Sequence, residues 1–326
     1  MINIKRVLCP IDLSTDSDQA LRYALALTRA YEAELAICYR PEGGELAKAG
    51  LVHDGPIADS PVPERGQEVF KRAVVKFLAP EEKTKLNWHG LLIHGEEVGE
   101  AITKAASECR ADLIVMRSRR RPHRAALLGS TAESVCRSAP CPVLVTHTDE
   151  RDWVQPLSKS ISLQRVLVPY DFSDYSELAL NYALSFAQEY QAELHLLHVL
   201  PPHTVNEPEI AWYPNQRESA YHNAARRLQR AVPPEAHLWC QIKHAVSEGQ
   251  PYREVLNYAE KNAIDLISIG AHGAGFGMRA LFGSNVDRVL RQAPCPVLVA
   301  RPWKPAIVGE SARELSKTVV QAEATV

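Results

Sequence analysis

No apolar run in the 326 residues of this chain approaches the roughly 18–20 needed to cross a bilayer, which excludes a membrane-spanning helix. Neither sign of charge is in excess: 37 basic and 39 acidic side chains leave a formal net charge of −2. So balanced a chain has no field to hold a polyanion or an anionic lipid surface, and nucleic acid and membrane are not expected partners. Cysteine is sparse, seven in all, odd in number and without a C-x-x-C pair. That pattern fits buried thiols in a reducing cytosol better than a disulfide or metal framework. The opening "MINIKRVLCPID" passes straight into a strand-like run and a polar turn, with no signal-peptide pattern, so the expected location is cytoplasmic. A Gly-Lys-Ser/Thr triplet is absent as well, which removes the Walker A loop from consideration.

What the chain does have is repetition. "RVLCPIDLSTDSDQALRYALALTRAYEAEL" from Arg6 aligns without gaps to "RVLVPYDFSDYSELALNYALSFAQEYQAEL" from Arg165, with sixteen of thirty positions identical. "GSTAESVCRSAPCPVLV" from Gly129 likewise matches "GSNVDRVLRQAPCPVLV" from Gly283. Self-similarity on this scale means two copies of one domain. The boundaries read as 1–148, a polar, irregular linker over 149–162, a second copy over 163–302, and a tail over 303–326.

Strand and helix patterns alternate within each copy. In the second, "RVLVPY" is an apolar run suited to a strand covered on both faces. Ser173 or Asp174 can cap the following helix, and Leu178, Tyr182, Leu184 and Phe186 help form its apolar side. "AELHLLHVL", "LWCQIKHAV", "DLISIG" and "CPVLVA" read as four further strands, with helices from near Gln216, over "PYREVLNYAEKN" and over "SNVDRVLRQA". This alternation requires right-handed crossovers and a parallel sheet. The fold class is therefore α/β: two tandem, doubly wound, five-stranded parallel-sheet domains. The apolar terminal strands "CPVLV" and "CPVLVA" would be bare edges if left alone, so the copies are expected to pack together as an internal pseudo-dimer.

The loop after the fourth strand differs between the copies. The second reads "GAHGAGFGMRALFGS", with five glycines; the first reads "RSRRRPHRAALLGS", crowded with arginine. Ligands of open parallel sheets sit beyond the carboxyl ends of the strands, where strand order reverses. If the first and fourth strands are neighbours, Asp171 and Gly270 face one another there. Glycines bring backbone amides close to a ligand, and Gly283-Ser284 opens a helix whose free amides favour an anion. A Rossmann fingerprint is only echoed, by Gly275, Gly277 and Ala280, and after the wrong strand.

The spacing Gly270, two residues, Gly273, nine residues, Gly283-Ser284 resembles the ATP-binding motif of the universal stress protein family. The resemblance extends to Pro10, Asp12 and Ser14, to Pro169, Asp171 and Ser173, and to both "APCPVLV" strands, so it spans nearly the whole chain. It implies an adenine nucleotide alpha hydrolase-like fold and a nucleotide in the second copy, with Mg2+ accompanying the phosphates. By resemblance, Pro169, Tyr170 and Asp171 line the adenine and ribose end, and Val199 walls the base. Gly270, His272 and Gly273 pass close to ribose and phosphates, and Gly283, Ser284 and Asn285 bind the phosphates. In the first copy Arg117 and Arg120 stand in place of two glycines and Arg40 in place of Val199, so that copy is expected to have lost the nucleotide.

The leading function is that of an ATP-binding stress-response protein whose output runs through conformation or an unidentified protein partner. Slow ATP hydrolysis and binding of another small molecule, such as a lipid or an AMP-like signal, are the alternatives. No motif supplies a catalytic residue. His195 and His198 lie three apart on a strand and face opposite ways, so they form no metal pair. Trp212 and Tyr213 belong either to a lid or to a packed surface loop, and a homodimer is a further possibility.

Overall fold

Val166, Leu167 and Val168 are each wholly buried, as a strand sandwiched between helices must be. The same holds in the other central strands of the computed structural model, which describes residues 3–12, 14, 17–40, 86–118, 130–147, 150–155, 160–202, 214–272 and 283–302. The first copy runs β1 (Arg6–Ile11), α1 (Asp18–Ala30), β2 (Glu34–Tyr39), β3 (Trp88–Leu92), α2 (Val98–Glu108), β4 (Leu113–Arg117), α3 (Ser130–Ser138) and β5 (Val143–Thr146). The second runs β6 (Arg165–Pro169), α4 (Asp174–Tyr190), β7 (Glu193–Leu200), α5 (Pro214–Ala231), β8 (Ile242–Glu248), α6 (Pro251–Lys261), β9 (Leu266–Gly270), α7 (Ser284–Gln292) and β10 (Val297–Ala300). Among the described residues, no helix is long and apolar enough to cross a membrane.

The strands form one ten-stranded sheet in the order β3-β2-β1-β4-β5-β10-β9-β6-β7-β8. Pairing is parallel within each half, and the halves join where β5 and β10 run antiparallel, Val143 opposite Val299 and Val145 opposite Val297. The two apolar edges thus cover each other. All six paired residues are at most 1% exposed, and each such burial is worth about 1.5–3 kcal/mol. Helices α1, α4 and α5 cover one face, and α2, α3, α6 and α7 the other; each buried cluster draws on both halves. A charged tie spans the junction: Arg301, 8% exposed, donates from Nη1 to the Cys136 carbonyl of α3 at 2.8 Å.

Strand order reverses between β1 and β4 and between β6 and β9. An aspartate holds each pair at its far end. Asp112 accepts from the amides of Lys5 and Arg6, and Asp265 from those of Gln164 and Arg165, at 2.8–2.9 Å. All seven cysteines are free thiols, and burial pushes those of Cys109 and Cys136 up to about 11 and about 12.

Two expectations need correction. The strand expected over "LWCQIKHAV" begins only at Ile242, because Pro233 leads into a 3-10 turn over Pro234–Leu238 that leaves Leu238 exposed. All four residues expected on the apolar side of α4 lie there: Leu184 and Phe186 are buried and Leu178 and Tyr182 pack against the same cluster, beside Leu180, Ala183 and Ala187. The linker is not merely polar and irregular: Trp153 is 1% exposed and packs edge-on against Tyr23, ring centroids 4.6 Å apart. Asp152 pairs with Arg22, and Val154 bridges Ile161. The linker is therefore bound to the first domain by a large aromatic anchor.

Candidate functional site

Beyond the carboxyl ends of β6 and β9 lies a cavity of about 240 Å³. Pro169, Tyr170, Asp171, Val199, Gly270, His272, Gly283, Ser284 and Asn285 all line it. Gly273 lies outside the described residues, as do Arg120, Trp212 and Tyr213.

The β6–α4 turn presents Asp171. Its Oδ1 accepts from both the amide and the hydroxyl of Ser173, and Ser173 Oγ in turn caps α4 by accepting from the Ser176 amide. The cap is thus Ser173, with Asp171 bracing it. The first copy repeats the turn with Asp12 and Ser14. Between Asp171 and Ser173, Phe172 has φ of 64°, an unfavourable conformation for a bulky residue and one that persists only when its surroundings enforce it. The guanidinium of Arg227 lies 3.7 Å above its ring, and Tyr170 and His198 flank it at 5.3 and 4.6 Å.

Gly270 is required by packing. A Cβ there would stand 2.7 Å from the Tyr175 carbonyl oxygen, so glycine lets the first turn of α4 rest directly on β9. Arg117 occupies the same place in the first copy, at the end of β4 opposite Thr146 as Gly270 is opposite Ala300. There α1 begins at Asp18, which aligns with Glu177, whereas α4 begins already at Asp174. Arg40 sits at the end of β2, in the position of Val199.

Helix α7 points its N-terminus at the cavity. Its N-cap is Gly283, which has no side chain to cap the first-turn amides, and these together with the helix dipole favour an anion. Gly283 itself has φ of −58° and room for a Cβ; its contribution is the absence of a capping group. His272 lies edge-on to Tyr175 at 5.0 Å, and its Nδ1 is buried without a hydrogen-bond partner among the described residues. Burial first, and the charge of Arg301 second, hold His272 below the ordinary imidazole range, so it is neutral at pH 7.

The sequence reading missed several groups. His198 lines the cavity and places Nδ1 2.8 Å from the Tyr170 carbonyl; a carbonyl only accepts, so Nδ1 carries the proton. His195 instead meets the Tyr258 hydroxyl at 3.0 Å, so the two histidines serve different elements. Pro251, Tyr252 and Val255 of α6, with Val286 and Val289 of α7, close the remaining side. Only the apolar spacing of α6 hinted at them. The Tyr252 hydroxyl is held below its ordinary pKa, first by a hydrogen bond from Arg253 Nε at 2.9 Å.

A model of the universal stress protein family matches residues 3–147 and again 162–301. A universal stress protein of Mycolicibacterium smegmatis is 26% identical over 301 residues, covering 91% of this chain and 97% of its own. Universal stress protein MJ0531 of Methanocaldococcus jannaschii is 31% identical over 144 residues, 43% of this chain and 84% of its own. Among solved structures, a universal stress protein of Archaeoglobus fulgidus superposes with a TM-score of 0.58 at 24% identity, covering 91% of this chain and 96% of its own, a likeness of fold. Two matched domains, one continuous sheet and paired terminal strands lead to one conclusion: the chain belongs to the universal stress protein family, in a form that carries the domain twice.

Proposed function

We propose that the second domain binds one ATP per chain and that occupancy is read out through conformation or a protein partner in a stress response. The observation that carries this reading is convergence: nine residues foreseen from the motif line one cavity at the point where strand order reverses. The donor chemistry fits a nucleotide. The first-turn amides of α7, behind the side-chain-free N-cap Gly283 and with the Ser284 and Asn285 side chains, suit phosphate oxygens, and the buried Nδ1 of His272, without a partner among the described residues, suits a ribose or phosphate group. Val199, Pro251 and Val255 offer the apolar surface that a base needs. Asp171 is the one carboxylate among the described lining residues and would face the ribose end. Mg2+ would accompany the triphosphate and neutralise part of its charge.

In the first domain Arg117 and Arg40 stand at the strand ends that match Gly270 and Val199, and the sequence puts Arg120 in the place of Gly273; charge alone attracts polyanions without orienting an adenosine. Titration calorimetry on the whole chain should give a stoichiometry of one. Gly273→Arg, which copies the first domain's loop, should abolish binding, while Arg120→Gly should leave the stoichiometry unchanged. Two equivalent sites, or binding that survives Gly273→Arg, would refute the assignment.

A further inference from the structure

The two copies differ at a second place that the glycine motif does not touch. In the first domain, α2 and α3 meet through small residues: a Cβ on Gly99 would stand 2.5 Å from Ser134 Cβ and 3.4 Å from the Thr131 carbonyl. One turn on, Thr103 Oγ1 lies 3.1 Å from Ser138 Oγ. The N-terminal halves of these helices thus touch directly at Gly99 and Ser134.

The aligned positions in the second domain are Tyr252 on α6 and Arg288 on α7. Arg288 places its guanidinium 4.6 Å from the centroid of the Tyr252 ring, and Arg253 holds the Tyr252 hydroxyl. A phenol ring and a guanidinium now occupy the interval that glycine and serine close in the other copy. Tyr252 lines the cavity whereas neither arginine does, and Val255 and Val289 form the floor of the same recess. The recess is apolar, and the first residues of α7, Ser284 and Asn285, border it.

We propose that Tyr252 is a specificity-determining residue of this site, an aromatic wall for a purine base, and that Arg288 positions it by holding its ring across the gap between α6 and α7. The inference rests on the nucleotide reading above and names a determinant of it outside the motif. A cation over one side of the ring is favourable, and it steadies a side chain that would otherwise lose rotamer freedom on binding. An aromatic wall tolerates any base but gains more from the larger purine face. Removing such a contact typically weakens binding by about tenfold.

The test is calorimetry of the whole chain with ATP and, separately, UTP. Three variants are compared with the parent: Tyr252→Phe, Tyr252→Ala, and Tyr252→Ala combined with Arg288→Ser. Circular dichroism and thermal melting identify any variant that has lost its fold, and Tyr252→Phe, which keeps the ring, then carries the comparison with the parent. Tyr252→Phe should bind ATP within about threefold of the parent. The alanine variants should lose about tenfold toward ATP and distinctly less toward UTP, so that the ATP-to-UTP preference falls. Equal loss toward both nucleotides would make the residues mere helix spacers and overturn the proposal, as would ATP affinity unchanged in both alanine variants. A parent that binds no nucleotide would overturn the ATP reading itself, and this inference with it.

Discussion

Gly270→Ala adds one carbon at the most crowded point beneath the cavity. The new Cβ would stand 2.7 Å from the Tyr175 carbonyl oxygen and 2.8 Å from its carbonyl carbon and Cβ, against ordinary contact beyond 3.4 Å. Strand β9 and helix α4 would have to part by about 0.7 Å. Neither can yield cheaply. Ser268 Oγ donates to the Ala179 carbonyl at 2.8 Å, tying β9 to the second turn of α4, and Ser173 caps the helix just ahead of Tyr175. Overpacking of this kind costs about 1–3 kcal/mol, and the stiffer unfolded chain of alanine offsets about 0.4–1 kcal/mol. A net destabilisation of about 1–2 kcal/mol is expected, read as a lowered urea midpoint at unchanged slope. Gly283→Ala is the internal control. Among the described residues its Cβ meets nothing nearer than Val286 Cγ2 at 3.4 Å, and its backbone is already extended, so its cost should stay within about 0.5 kcal/mol. Equal midpoints for Gly270→Ala and the parent, or an equal loss at Gly283, would refute the packing argument.

Two further outcomes follow from the fold. Trp153→Ala should cost about 3–5 kcal/mol, since the ring is 1% exposed against Tyr23; Trp153→Phe should cost far less, because the indole Nε1 has no hydrogen-bond partner to lose among the described residues. A cost below about 1 kcal/mol for the alanine variant in urea unfolding would contradict the linker's role as an anchor. Stability should fall as pH drops from about 7 toward 5. Burial holds the His195 imidazole below its ordinary value of 6.5, against the pull of nearby Glu193 and with that of Lys243 and Arg165. The unfolded chain therefore takes up this proton first, and the loss is complete below the folded value. His195→Leu should flatten the profile, and a parent more stable at pH 5 than at pH 7 would reverse the sign of the argument.

The sequence alone determined what depends on local pattern and internal comparison. The aligned "RVLCPIDLS" and "RVLVPYDFS" segments made two domains unavoidable. Buried strands such as Val166–Val168 announced a parallel sheet by their continuous apolar character. The motif glycines, with Asp171 and Val199, marked one end of the sheet, because backbone turns and helix starts are written in a few neighbouring residues. Tertiary structure decided what depends on partners distant in the chain. That Gly270 is needed for the approach of Tyr175 could not be read locally, nor could His198 turn toward the cavity, nor could the linker be seen to bury Trp153 against Tyr23. The Tyr252–Arg288 contact belongs to the same class. Each residue alone is an unremarkable helical position, and their meaning arises only where α6 and α7 come side by side, because packing energy is a property of pairs of surfaces and not of a run of residues.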